Sequence, residues 1–174
     1  MLRPLARTTL RRQLGSALVR KDLRKKYAEM AKGPFPFLHA TYYLWAEEIL
    51  NVCPELAGAP PVVAVGDIHL ENFGTWRDND GRLIWGVNDF DEAAEMPYAL
   101  DLVRLGVSAV LGCPHIRSTR AISDSILRGY ERADRRGAVK HDFDARDPDW
   151  LHSAIERAAK FIRDEHGEWR KSRR

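Results

Sequence analysis

The residues with the clearest potential for chemistry lie on two short acidic segments. Asp67 and Asn72 stand five positions apart on the first segment, and Asp89 belongs to the second. Phosphoryl transfer needs a carboxylate that orients the acceptor hydroxyl and takes its proton, and oxygen ligands that hold Mg²⁺ against the phosphates. We therefore interpret Asp67 as the candidate catalytic base and Asn72 and Asp89 as candidate magnesium ligands, with ATP or another nucleotide as the phosphate donor.

The charge around these residues also suits a divalent cation. Between Asp67 and Asp101 the sequence has nine carboxylates against two basic residues, Arg77 and Arg82. Asp91 is a further candidate metal ligand, although a carboxylate at this position could equally cap the following turn. The sequence therefore predicts a magnesium site in this region and leaves the role of Asp91 open.

Short β-strands are expected to position the two acidic segments. The β-branched run Val62–Val65 predicts a buried strand that leads directly to Asp67. The turn sequence 78–81, Asp-Asn-Asp-Gly, separates the strand-like runs 72–76 and 83–87 and predicts a β-hairpin. Because a hairpin returns the chain to its starting point, the two acidic segments are expected to converge.

Helical periodicity dominates the rest of the chain. We expect an α+β fold that is mostly helical with a small central antiparallel hairpin. The four histidines with no ligand spacing, at positions 115, 141, 152 and 166, are expected at the surface. The predicted helices are 15–31, ended by Gly33, Pro34 and Pro36; 41–52; a core helix between Pro97 and Gly112; one through Ile122 and Tyr130; and a last helix that follows Asp147–Pro148 and is closed by Gly167.

Length and composition exclude several classes of protein. With 174 residues and 44% hydrophobic residues, the chain can build a core of its own. It contains no apolar run long enough to cross a bilayer, and the basic ends carry no nucleic-acid-binding motif. Two isolated cysteines indicate a reducing compartment, so a cytoplasmic location with no membrane or nucleic-acid partner is expected. The predicted division is a basic helical segment 1–32, a catalytic-loop core 33–133, and a C-terminal helix with a basic tail 134–174.

The catalytic-loop candidates resemble those of a known fold. Gly66-Asp67-x-His69-x-x-Asn72 is similar to the loop of the aminoglycoside phosphotransferase and choline kinase branch of kinase-like proteins, in which an Asp-Phe pair and an Asp-Leu pair follow, like Asp89-Phe90 and Asp101-Leu102 here. The resemblance implies the large lobe of a kinase-like fold. It also implies structural, second-layer roles for His69, which would hold the loop by hydrogen bonding, and for Asp101.

A closer resemblance, over residues 26–111, is to a bacterial kinase-like family known as domain of unknown function 2252. The chain lacks the G-x-G-x-x-G arrangement of a nucleotide-gripping loop. In that family a glycine-rich segment and a lysine follow the catalytic loop, which implies a truncated or degenerate copy that needs a missing lobe or a partner chain. The shared motifs are Lys26-Tyr27-x-x-Met30, Phe35-x-Phe37-Leu38, Gly66 to Gly74, Asn88 to Glu92, and Pro97-x-x-x-Asp101-Leu102-x-Arg104-Leu105.

Three functions remain open from the sequence. The first is a magnesium-dependent phosphotransferase acting on a small hydroxylated substrate. The second is a metal-dependent hydrolase that uses Asp67, His69, Asp89 and Asp91 without ATP. The third is a non-catalytic remnant, or a lobe that depends on a partner chain.

Overall fold

The computed structural model describes residues 15, 19–116, 118–134 and 149–173. Helices and short antiparallel strands make an α+β architecture, as the sequence predicted. In chain order the elements of the described residues are α1 (Arg20–Met30), α2 (Pro34–Ala40), α3 (Tyr42–Val52), a 3-10 turn (Pro54–Gly58), β1 (Pro61–Ala64), a 3-10 turn (Leu70–Asn72), β2 (Phe73–Arg77), β3 (Leu83–Val87), β4 (Ala94–Pro97), α4 (Ala99–Gly112), α5 (Thr119–Asp134) and α6 (Trp150–Lys171).

The chain divides into two compact units. The first contains the described residues of Met1–Glu48 together with Ile162–Arg174, and the second is formed by those of Ile49–Phe161. Helices α3 and α6 contribute residues to both units. All four strands belong to the second unit. The search for long apolar helices among the described residues found none able to cross a membrane.

The first unit is helical and has an aromatic core. Helix α1 ends at Met30, one residue before the predicted end at residue 31, and the prolines that follow lie in the first turn of α2, a helix that was not predicted. Proline fits the first turn of a helix, since the N–H groups there have no partner within the helix. The surface position expected for His166 is wrong, because the residue is 6% exposed and its ring lies 5.4 Å from that of Phe37.

The strands of the second unit form two separate antiparallel pairs. The predicted hairpin is confirmed, with β2 paired to β3 from Phe73↔Val87 to Arg77↔Leu83. Strand β1 pairs with β4, from Pro61↔Pro97 to Ala64↔Ala94. The predicted burial of β1 is wrong, because a two-stranded ribbon leaves much of its surface to solvent and Val63 is 83% exposed.

Helix α4 is the central helix of the second unit, and its predicted core position is confirmed by nine buried residues. Helix α6 does not close at Gly167 but continues to Lys171. A single glycine lowers the stability of a helix interior by only about 1 kcal/mol, which strong helix-forming neighbours offset. The predicted cap at Asp147–Pro148 lies outside the described residues. His115 is exposed, as expected, whereas His141 also lies outside them.

Candidate functional site

The first acidic segment leaves β1 through a tight turn. Gly66 has φ 82°, and the N–H of Asp67 donates to the carbonyl of Val65 at 3.2 Å, which closes a three-residue turn. Such a turn places its central residue in a region that side chains with a Cβ rarely adopt. The glycine is therefore required for the chain to turn sharply before the candidate base.

Helix α4 supports this segment with three polar side chains. Asp101, Arg104 and Ser108 are spaced by three and four positions, so they lie on one face of the helix. Each one bonds to a different part of the segment between Val65 and Leu70. The helix therefore holds the catalytic-loop candidates at three successive points.

Asp101 anchors the beginning of the segment. Its carboxylate accepts the backbone N–H of Val65 at 2.7 Å and that of Gly66 at 3.0 Å. Burial raises the pKa of Asp101, although the two N–H donors act in the opposite direction. The carboxylate of Asp101 thus bonds directly to the backbone of the loop.

Arg104 fixes the candidate base. Its Nε donates to Oδ1 of Asp67 at 3.0 Å, and its Nη2 forms a second, shorter contact with the same oxygen. The Arg104 side chain is 0% exposed, whereas that of Asp67 is 22% exposed. The ion pair therefore orients a partly accessible carboxylate from its buried side.

The end of the segment is held by Ser108 and by its own turn. The N–H of Leu70 donates to Oγ of Ser108 at 3.2 Å. The N–H of Asn72 donates to the carbonyl of His69 at 3.0 Å, within the 3-10 turn. His69 itself is 5% exposed. The structural role that the family resemblance implies for His69 stays a prediction.

Asn72 joins the two acidic segments through its carboxamide. Its Nδ2 donates to the carbonyls of Asp67 at 3.2 Å and Asp89 at 3.1 Å, and its Oδ1 accepts the N–H of Asp89 at 2.8 Å. The backbone carbonyl of Asn72 also accepts the N–H of Asn88 at 2.9 Å. The candidate base and the candidate metal ligand are thus tied together across the base of the hairpin.

The second acidic segment is exposed. Asp89 and Asp91 both face solvent, and the N–H of Asp91 donates to Oδ1 of Asp89 at 3.0 Å. This segment runs into β4 at Ala94, which pairs with Ala64 at the end of β1. Both acidic segments therefore extend from the same end of the β1–β4 ribbon.

The donor set is consistent in kind with magnesium. Mg²⁺ prefers carboxylate, carbonyl and water oxygens, and Asp89 and Asp91 offer exposed carboxylates. Asn72 fits the role of ligand less directly, because it is 5% exposed and its amide oxygen already accepts the N–H of Asp89. The observed hydrogen bonds of the Asn72 side chain connect the two acidic segments.

Two residues of this arrangement, Arg104 and Ser108, were not predicted to contribute to the site. Arg104 was noted only within a family motif, and Ser108 was not singled out. The signal that could have found them is the spacing of Asp101, Arg104 and Ser108 on a helix that is otherwise apolar, because buried polar side chains need partners.

Comparison with protein families covers most of the chain. The sequence model of a family described as "Uncharacterized protein conserved in bacteria (DUF2252)" matches residues 18–155. The chain belongs to this family. The DUF2252 match spans both acidic segments and all three loop-binding residues of α4. No curated protein and no solved structure matches the chain.

Proposed function

We propose that the chain is a kinase-like, magnesium-dependent phosphotransferase that acts on a small hydroxylated substrate. The observation that carries the proposal is the Asn72 carboxamide, which links the backbones of Asp67 and Asp89 by three hydrogen bonds. Phosphoryl transfer depends mainly on positioning and electrostatic stabilisation, so a fixed relation between the base and the metal-binding segment is the feature it needs.

The residues have separate roles in this proposal. Asp67 orients the acceptor hydroxyl and accepts its proton, while Arg104 keeps its carboxylate in place. Asp89 and Asp91 bind magnesium, and Asn72 positions Asp89 or adds a ligand oxygen. When bound, the ion would neutralise charge on the phosphates.

Nucleotide binding in this proposal does not depend on a glycine-rich loop. None of the twelve glycines forms a G-x-G-x-x-G arrangement, so the grip on ATP would come from other residues, a further lobe or a partner chain. The first experiment therefore measures nucleotide binding rather than turnover.

Calorimetric titration of ATP with magnesium into the purified chain tests the proposal. We expect saturable binding in the wild type and its loss in Asp89→Ala. Asp80→Ala is the matched control, because Asp80 is an exposed carboxylate at the opposite end of the same hairpin, 3.0 Å from Arg82. Binding that is equally weak in both variants would contradict the assignment of Asp89.

Two other outcomes would replace the proposal. Magnesium- or manganese-dependent cleavage of phosphate esters without nucleotide would favour the hydrolase. Absence of nucleotide binding in the wild type, together with absence of any turnover, would indicate a non-catalytic or partner-dependent lobe. If nucleotide binds, Asp67→Asn should abolish phosphoryl transfer and retain magnesium binding, whereas equal loss of both would contradict the role of Asp67.

A further inference from the structure

The first unit contains a cluster of four rings, which we call the aromatic cluster: Tyr27 of α1, Phe37 of α2, and His166 and Trp169 of α6. Ring centroids lie 6.0 Å apart for Tyr27 and Trp169, 5.9 Å for Phe37 and Trp169, and 6.2 Å for His166 and Trp169. The guanidinium of Arg173 lies 3.9 Å from the centroid of the Tyr27 ring. Rings from three helices therefore meet around Trp169.

Three polar atoms of this cluster are buried without a partner. They are Oη of Tyr27, Nε2 of His166 and Nε1 of Trp169, and none of them has a hydrogen-bond partner among the described residues. Buried polar atoms in folded proteins are nearly always bonded, to protein or to ordered water. Three buried polar atoms without a partner in one cluster of neighbouring rings indicate that a further molecule forms hydrogen bonds with them.

The chemistry of the three atoms defines what that partner must be. His166 makes a hydrogen bond to the backbone of Met30, and since its Nε2 has no partner, this bond comes from Nδ1–H. In the neutral ring Nε2 is then an acceptor, whereas Nε1 of Trp169 is only a donor and the Tyr27 hydroxyl can act as either. The partner must both donate and accept hydrogen bonds.

Ions do not meet this requirement. An anion that carries no proton cannot donate a hydrogen bond to Nε2 of neutral His166, and a metal cation would face the indole N–H of Trp169 and the nearby guanidinium of Arg173. Water does meet it, because one molecule typically makes about three hydrogen bonds to buried polar groups.

We propose that the aromatic cluster encloses an ordered water molecule that bridges Tyr27, His166 and Trp169. The water accepts from the indole N–H of Trp169, donates to Nε2 of His166 and bonds to the hydroxyl of Tyr27. It links α1 to the end of α6 through polar contacts in an otherwise apolar core. The site does not involve the acidic segments, so it stands independently of the proposed phosphotransferase.

Water-selective NMR on the ¹⁵N-labelled full chain tests this site. The indole N–H of Trp169, assigned by its absence in Trp169→Phe, should show cross-relaxation with a long-lived water, and Tyr27→Phe should weaken it. Trp85, which is 68% exposed, reports contact with bulk water in the same spectrum. Absence of the signal at Trp169 would overturn the proposal, and the atoms would then be bonded by another part of the chain or by a hydroxyl of a co-purified molecule.

The stability of Tyr27→Phe gives a second test, because the urea midpoint should change in opposite directions with and without the enclosed water. If the hydroxyl bonds to the enclosed water, its removal breaks a bridge and lowers the urea midpoint. If the hydroxyl is buried without any partner, its removal raises the midpoint, because an unbonded buried polar atom destabilises the fold. An unchanged or raised midpoint would overturn the proposal.

Discussion

The ion pair between Asp67 and Arg104 predicts strong energetic coupling. Asp67→Asn keeps the shape of the side chain but removes the carboxylate that bonds to the guanidinium of Arg104, which is 0% exposed and retains only the electrostatic attraction of a further carboxylate, Asp101, among the interactions described for it. Removing one partner of a buried pair typically lowers the free energy of unfolding by about 3–5 kcal/mol. Since the side chain of Asp67 is 22% exposed and partly screened by solvent, we expect about 3 kcal/mol.

The reverse substitution should be milder. Arg104→Met removes the buried charge with a side chain of comparable length, and the partly exposed Asp67 can then bond to water. We expect a loss of about 1–2 kcal/mol. In the double variant both charges are absent, so its loss of free energy of unfolding should resemble that of Arg104→Met alone. The coupling energy from the cycle should then equal the loss for Asp67→Asn, about 3 kcal/mol.

Urea unfolding followed by circular dichroism and tryptophan fluorescence measures the stability of the wild type, the two single variants and the double variant. A matched control is the pair of Asp78 and Arg82 in the hairpin turn, 2.7 Å apart with the Arg82 side chain 70% exposed. The cycle of Asp78→Asn and Arg82→Met should give a much smaller coupling energy, because solvent screens an exposed ion pair. Additive effects at Asp67 and Arg104 would refute the buried ion pair as the support of the candidate base.

Three further predictions concern packing, the loop anchor and pH. Gly106→Ala should lower the free energy of unfolding by about 1–3 kcal/mol, because a Cβ there would lie 2.2 Å from Cδ1 of Ile155. Gly129→Ala should raise the free energy of unfolding by about 0.5–1 kcal/mol, because a Cβ there meets open space. Thermal melts of the two variants measure both effects. Asp101→Ala should lower the free energy of unfolding by about 2 kcal/mol, since the N–H groups of Val65 and Gly66 lose their acceptor. Faster hydrogen exchange at these two amides would identify the cause. Burial lowers the pKa of His166. The contribution of His166 to stability is therefore complete above its unfolded pKa of about 6.5, and it is lost as the pH falls towards the lower pKa of the folded state. In His166→Gln the urea midpoint of unfolding should depend less on pH over this range.

The hairpin could be predicted because its signals are local. The turn residues 78–81 and the two flanking runs specify both strands, and their pairing brings Asn72 next to Asn88 without further information. Helices with clear periodicity, such as α3 and α4, were predictable for the same reason. What these elements share is that contacts close in sequence decide them.

The missed features depend on contacts distant in sequence. The pairing of β1 with β4 joins residues thirty or more positions apart, and β4 (Ala94–Pro97) contains no β-branched residue to mark it. The role of Arg104 depends on which face of α4 meets the loop, and the burial of His166 depends on Phe37 in another helix. Periodicity assigned these residues to helices but could not show what their side chains contact.

In the proposed phosphotransferase, the distribution of charge gives the candidate base and the candidate metal ligands separate roles. The carboxylate of Asp67 is paired with a buried cation, so part of its negative charge is compensated before any ligand binds. Asp89 and Asp91 are exposed, so they present the negative charge that an incoming cation meets first. Variants of Asp67 should for this reason retain affinity for magnesium, provided that the chain stays folded. Because Asp67→Asn also removes the carboxylate that bonds to the buried Arg104, its activity should be compared with that of the double variant with Arg104→Met, in which the buried charge is absent.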